Sequence, residues 1–211
     1  MKITVFGASG GTGVEVVRQA LEAGHEVTAV VRDRARLAVG DQPRLEVVTA
    51  DVFDADSLVP AIAGRDAVIS ALGARDRGPS TICRDGTSAI MSAMKTAGVR
   101  RLVVVSNSGM HTEGDSFFTG RIFKPVLIGI LREAYADMGV MEERVMASET
   151  DWTIVRPPRL RDWPRRGKVA TAVGRNVRGS YNIGRADLAG YLLAAAADEG
   201  LVRTAVSVAQ G

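Results

Sequence analysis

Near the start of the chain, Gly7-Ala8-Ser9-Gly10-Gly11-Thr12-Gly13 sets three glycines at regular intervals, with two hydroxyl side chains between them. Glycine lets a backbone turn sharply and come close to a bulky anion. A helix that begins at such a loop aims its free N–H groups and the positive end of its dipole at that anion. A second feature is Arg32, which closes an apolar run over residues 27–31. Its planar guanidinium is suited to charge-assisted bonds with a phosphate. Both features point to phosphate recognition.

The elements that must carry them can be read from the pattern. Residues 2–6 (KITVF) read as a short buried strand, residues 14–23 as a helix, and residues 27–31 as a second strand. Strand, glycine loop, helix and strand in that order form a dinucleotide-binding βαβ unit, the context that gives a glycine motif its meaning. Gly7 suits the turn, Gly10 the approach to a pyrophosphate, and Gly13 the packing of helix on sheet. Gly11, Ser9 and Thr12 add backbone and hydroxyl donors. The spacing is G-x-x-G-x-x-G rather than G-x-G-x-x-G. The residue closing the second strand meets the adenosine ribose. An acid there favours a free 2′-hydroxyl, whereas an arginine favours a 2′-phosphate. Arg32, with Arg34 or Arg36 helping, therefore predicts NADP(H) as cofactor.

Strands and helices continue to alternate. Residues 45–48, 67–71, 102–105 and 153–155 read as further strands, and residues 54–63, 80–97 and 126–147 as helices. Asp54 is a candidate N-cap, and Gly64 and Gly98 are candidate stops. A short strand at 168–173, a helix at 186–197 and a last strand at 202–208 complete the chain. This alternation predicts an α/β fold, a single Rossmann-type doubly wound parallel sheet over residues 1–211 with helices on both faces. The substrate-side loops fall at about 109–125 and 157–167.

In such a sheet ligands sit outside the carboxyl ends of the strands. That rule gathers the glycine loop, Arg32, Asp51-Val52, Ala71-Leu72-Gly73 with Arg75, Ser106-Asn107-Ser108 and Pro157-Pro158 around one crevice. Asp51-Val52 is placed against the adenine. Asp51 could equally be a helix cap. Met110, Phe117, Phe118, Phe123 and Trp163 are candidates for an apolar acceptor wall. The cluster Arg156, Arg159, Arg161, Arg165 and Arg166 reads as a hold for an anionic substrate tail or as a solvated loop.

Composition narrows the partners. Apolar residues make up 46% of the chain and aromatics 5%, so the core is built mainly of Val, Ala, Leu and Ile, as a helix-covered parallel sheet requires. Lys2, Lys95, Lys124 and Lys168 are the only lysines among 27 basic residues, which leaves 23 arginines. No basic helix stripe or aromatic-basic interleaving points to nucleic acid. Without a basic n-region or a bilayer-length apolar run, the expectation is a cytoplasmic protein, monomer or homodimer, without a membrane partner. A lone cysteine, Cys83, offers neither a disulfide nor a metal cluster, and reads as a bystander.

The segments GASGGTG (7–13), VVRDRARL (30–37), ADV (50–52), GRDAVISALGAR (64–75), MKTAGVRRLVVVS (94–106) and VRPP (155–158) resemble atypical short-chain dehydrogenase/reductases. The chain looks closest to the biliverdin reductase B/flavin reductase group, within the broader NmrA-like NAD(P)-binding family. The resemblance implies NADP(H) held by Gly7, Ser9, Gly10, Thr12, Gly13, Arg32 and Arg36. It further implies contacts from Asp51-Val52, Leu72-Gly73 and Pro157-Pro158. In that group, hydride passes to a flat conjugated acceptor such as a flavin or a linear tetrapyrrole.

There are departures from the family pattern. Standard short-chain dehydrogenases use a Tyr-x-x-x-Lys pair, but Tyr135 is followed four residues later by Gly139, and neither Tyr181 nor Tyr191 has the lysine. An ungapped match puts Asn107 on the group's serine beyond the fifth strand, and Arg159 where its substrate-site histidines begin. Of the two histidines here, His25 reads as structural. His111 is near the crevice, either as a solvent-exposed residue or as a proton donor. The leading expectation is thus an NADPH-dependent reductase of a planar acceptor (flavin, quinone or similar), with Ser106, Asn107 and Ser108 orienting or polarising the reactants. Met110, His111, Phe117, Phe118, Arg159 and Trp163 would face the acceptor. The rivals are an NADP-binding redox sensor without turnover and, more remotely, an epimerase or dehydratase.

Overall fold

Every residue of β1 (Lys2–Phe6) after Lys2 is buried, and β4 (Ala67–Ser70) is buried throughout. Strands with two apolar faces need helices on both sides of the sheet. The computed structural model describes residues 1–74, 80–111, 113 and 131–211. The candidates Arg75, Phe117, Phe118 and Phe123 lie outside the described residues.

The remaining strands are β2 (Glu26–Val31), β3 (Leu45–Thr49), β5 (Arg101–Val105), β6 (Asp151–Arg156), β7 (Arg159–Arg161), β8 (Val169–Val173), β9 (Asn182–Gly184) and β10 (Thr204–Gln210). The main sheet has the order β3-β2-β1-β4-β5-β6-β10-β8. Its pairings are parallel apart from β8, which runs antiparallel to β10 at the edge. The chain winds outward from β1 in one direction and from β4 in the other, so the order reverses between these two strands. That is the switch point at which doubly wound sheets bind ligands.

The helices are α1 (Gly11–Glu22), α2 (Ala55–Ile62), α3 (Arg84–Ala97), α4 (Arg132–Met146) and α5 (Arg185–Ala197). α1 and α5 pack on each other beneath one face, around Ile3, Val5, Val16, Leu188 and Leu192. α2, α3 and α4 cover the other face, around Phe6, Leu58, Ile90, Met94 and Met141. Each such side chain contributes roughly 1.5–3 kcal/mol on burial.

The expected stops hold. The Asp54 side chain accepts from Ser57 N at the start of α2, and both Gly64 and Gly98 take left-handed backbone after their helices. Other boundaries moved. α3 begins at Arg84 rather than at 80. Cys83 cannot cap it, and the cap comes from across the fold: the buried Asp137 carboxylate of α4 accepts from Cys83 N and Arg84 N, each at 3.0 Å. A cap from another helix leaves no local signal. Burial, with Asp137 beside it, pushes the Cys83 thiol up to about 12, so at neutral pH it is an inert packing group.

A larger difference concerns residues 157–167, expected as a substrate-side loop. β7 pairs with β9 in a separate two-stranded parallel sheet. The segment after β7 docks on α5, where Asp187 accepts from Arg166 N at 2.9 Å and Gly167 N at 2.7 Å. Asp187, an acid in the first turn of α5, thus both complements the helix dipole and pins this segment.

Candidate functional site

At the carboxyl ends of β1, β2, β4, β5 and β6 lies an open cleft of about 380 Å³. Its floor is the glycine loop. Gly7 has φ +72°, and a Cβ there would lie 2.5 Å from the Ala71 carbonyl oxygen, so only glycine fits between β1 and β4. At Gly13 a Cβ would lie 2.1 Å from the Gly7 carbonyl oxygen. The third glycine therefore closes the loop on itself, in addition to starting the helix against the sheet. Gly7, Ser9, Gly10, Gly11 and Thr12 line the cleft.

Arg32 lines the outer end, just beyond β2, together with Val30, Val31 and Ala50. Of the two helper arginines, Arg34 is paired with Asp41 at 2.6 Å. Arg36 is exposed in a short 3₁₀ turn and does not line the cleft. The pair Asp51-Val52 divides. Val52 lines the cleft, while the Asp51 carboxylate accepts from Phe53 N at 3.1 Å in the turn before α2. Ala71, Leu72 and Gly73 line the wall after β4.

The inner end is formed after β5 and β6. Ser106 N donates to Val155 O at 2.8 Å and Ser108 N to Pro157 O at 2.9 Å, which carries the β5–β6 pairing into the site. Ser106, Asn107 and Pro157 line the cleft, whereas Ser108, Met110 and Pro158 do not. Asn107 Oδ1 accepts from Gly109 N at 2.6 Å. This fixes the side chain and leaves its amide N–H groups as donors. Ile82, Met138 and Leu160 supply apolar wall here, from the turn before α3, from α4 and from β7. None was singled out in the sequence, because an isolated aliphatic residue carries no chemical signature.

Beneath this end sits a buried charge cluster. Arg156 grips the Glu142 carboxylate with two of its nitrogens, Nε and Nη2, which donate at 2.9 and 2.5 Å. His111 Nε2 lies 3.3 Å from the same carboxylate, and the Ser106 hydroxyl lies within its reach without a well-aligned bond. Burial alone would raise the Glu142 carboxyl. The polar contacts from His111, Arg156 and Ser106, with the Arg156 charge, outweigh it and hold the group down to about 2. His111, expected to face solvent or an acceptor, thus turns inward onto Glu142. A carboxyl depressed in the folded state stabilises above its unfolded value of 4.5, and that contribution fades as pH falls toward about 2. Urea melts of the wild type should therefore lose stability across this window. In Glu142→Gln that slope should be shallower. Equal slopes would show that this carboxylate is not coupled to folding.

The arginines of residues 156–166 do not assemble into an anion site. Arg156 is committed to Glu142, Arg161 Nε donates to Asn182 Oδ1 at 2.8 Å, and Arg159 is exposed on β7. Arg166 stacks over Trp163 at 4.5 Å. Trp163 itself lies in a second groove behind α1, with Glu15 and Arg18, and does not line the cleft. A surface cluster in sequence becomes a dispersed set because β7 and its docked extension turn successive side chains to different neighbours.

Nor does Tyr135 face the cleft. Its hydroxyl packs against Gly109, where a Cβ would lie 2.3 Å from it. Burial pushes the hydroxyl above the usual tyrosine range. The Tyr-Lys pair works by lowering that value, so this tyrosine is poised the wrong way for proton transfer at neutral pH.

The glycine loop on a helix N-terminus at the switch point agrees with a profile of NAD(P)H-binding domains, which matches residues 7–199. The chain belongs to this NAD(P)H-binding family. It is 33% identical over 181 residues to a chloroplastic protein of Arabidopsis thaliana, an alignment covering 80% of this chain and 62% of that protein. Its fold matches that of a Veillonella parvula short-chain dehydrogenase/reductase crystallised with NADP. The TM-score is 0.80 at 18% identity, covering 99% of this chain and 94% of that one. It also matches a Streptococcus pneumoniae protein described as a candidate NADH-flavin reductase, with TM-score 0.76 at 23% identity over the full length of both. At these identities the two structures show a shared fold. No helix among the described residues is long and apolar enough to cross a membrane.

Proposed function

We propose that this family member is an NADPH-dependent reductase that passes hydride to a planar conjugated acceptor, a flavin, a quinone or a similar compound. The observation that carries the reading is the layout of the cleft. A cationic end at Arg32 is joined through the glycine loop to an apolar end at Ser106 and Asn107, where the described residues that line the cleft include no paired acid and base. Such a site positions two flat reactants and excludes water between them. The nicotinamide supplies the hydride, and the protein supplies geometry and a few hydrogen bonds. An acceptor of this class takes its proton from solvent after the hydride arrives, so a Tyr-Lys pair is not needed. The fold neighbour described as a candidate NADH-flavin reductase is consistent with this chemistry.

Cofactor choice rests on Arg32. A guanidinium on the 2′-phosphate should favour NADPH over NADH by at least about tenfold, roughly 1.4 kcal/mol. Fluorescence titration of both cofactors checks this. Arg32→Ala should remove most of the preference and leave NADH affinity nearly unchanged. Equal affinities in the wild type would refute this role for Arg32. A sensor without turnover would bind NADPH in the same way, and acceptor-dependent NADPH oxidation separates the two.

A further inference from the structure

Arg185 is the first residue of α5 and lies far in sequence from every motif above, yet it comes back to the glycine loop. A Cβ on Gly11 would lie 2.9 Å from both Cδ and Nε of Arg185, so its side chain crosses directly over the first residue of α1. It lines the cleft beside Gly10 and Thr12, and it also lines the groove behind α1. Its side chain is 28% exposed, and its Nη1 is 2.5 Å from Asp162 Oδ1. Asp162 is 88% exposed, and an ion pair so open to water holds little energy. The guanidinium is therefore free to exchange that partner for a better anion.

Among the described residues, Arg32 and Arg185 are the two cationic side chains that line the cleft. Arg32 stands at the ribose end. Arg185 stands at the loop, where the backbone N–H groups of α1 begin. A pyrophosphate carries two negative charges, and a helix N-terminus offers about half a positive charge. We propose that Arg185 is a second phosphate anchor, which binds the dinucleotide's pyrophosphate where it crosses the glycine loop at Gly11. This assignment rests on the cofactor reading given above. It also gives Gly11 a reason to be glycine, since a side chain there would displace the arginine.

The test is titration of NADPH, NADH and 2′-AMP, which lacks the pyrophosphate, against wild type, Arg185→Ala and Asp162→Ala. Arg185→Ala should bind both dinucleotides about tenfold more weakly, with their ratio preserved and 2′-AMP affinity unchanged. Asp162→Ala breaks the same ion pair but keeps the cation, and should stay within about twofold of wild type. Arg185→Lys should recover part of the loss, because a point charge replaces the forked donor. Dinucleotide affinity within about twofold of wild type in Arg185→Ala would overturn the assignment. So would an Asp162→Ala loss as large as that of Arg185→Ala, or a parallel loss of 2′-AMP binding. Either would mean that the ion pair only shapes the fold. Wild-type protein that binds neither dinucleotide would overturn the cofactor reading itself, and this role with it.

Discussion

Gly10→Val should yield a folded protein that no longer binds NADPH at concentrations that saturate the wild type. Gly10 is the N-cap of α1, with φ −84° and ψ 162°, an extended backbone that valine adopts readily. A Cβ there meets only the Gly7 carbonyl oxygen, at 3.2 Å. The fold can therefore accept the side chain with a shift of a few tenths of an ångström. The bound pyrophosphate cannot, because the isopropyl group would fill the space over the helix N-terminus and hold the anion away from its N–H donors. A loss of at least about a hundredfold, roughly 2.7 kcal/mol, is expected. Gly13 is the contrast. A Cβ there lies 2.1 Å from backbone, so Gly13→Ala should lower thermal stability as well as binding. Circular dichroism with a fluorescence titration separates the two cases. A well-folded Gly10→Val that binds NADPH normally would reduce the loop to a structural turn.

The second large effect lies at the end of β5. Asn107→Ala should lower kcat by about tenfold to a hundredfold, roughly 1.4 to 2.7 kcal/mol, because it removes a polarising or orienting hydrogen bond from the cleft. Ser106→Ala should have a smaller effect, because its buried hydroxyl faces Glu142 beneath the cleft. Ser108→Ala should cost less, since Ser108 does not line the cleft. Tyr135→Phe should change little, as its hydroxyl packs on Gly109 away from the reactants. Stopped-flow NADPH oxidation at saturating acceptor measures all four. A millionfold loss at Tyr135 would reveal a proton-relay enzyme and contradict the positioning account.

The glycine loop and Arg32 were legible in the sequence because their chemistry is local: strand, loop, helix and strand-end cation follow one another within the first 32 residues. The parallel sheet was legible for a similar reason, since continuous apolar runs such as those of β1 and β4 leave few other ways to be buried. The antiparallel edge at β8 and the β7–β9 sheet were not, because strands of three to five residues carry too little periodicity to show their pairing. Asp137 capping α3, Glu142 beneath Ser106 and Arg185 over Gly11 all depend on contacts between distant segments. Their residue types are common on any helix, and only the packing gives them a role. Asp51 is the converse case. Its motif is local, and so is the Asx turn that uses its carboxylate, as the helix-cap alternative anticipated.

The central claim is that hydride leaves NADPH for an acceptor held in this cleft. Its most direct test is a stopped-flow record of NADPH oxidation by the wild-type protein, run against a panel of flavins and quinones and repeated with NADPH deuterated at the transferable position. The account predicts acceptor-dependent oxidation that saturates with acceptor, slows on deuteration and disappears in Gly10→Val. Tight NADPH binding with no oxidation by any acceptor in the panel would contradict it, and would leave a protein that senses the cofactor without consuming it.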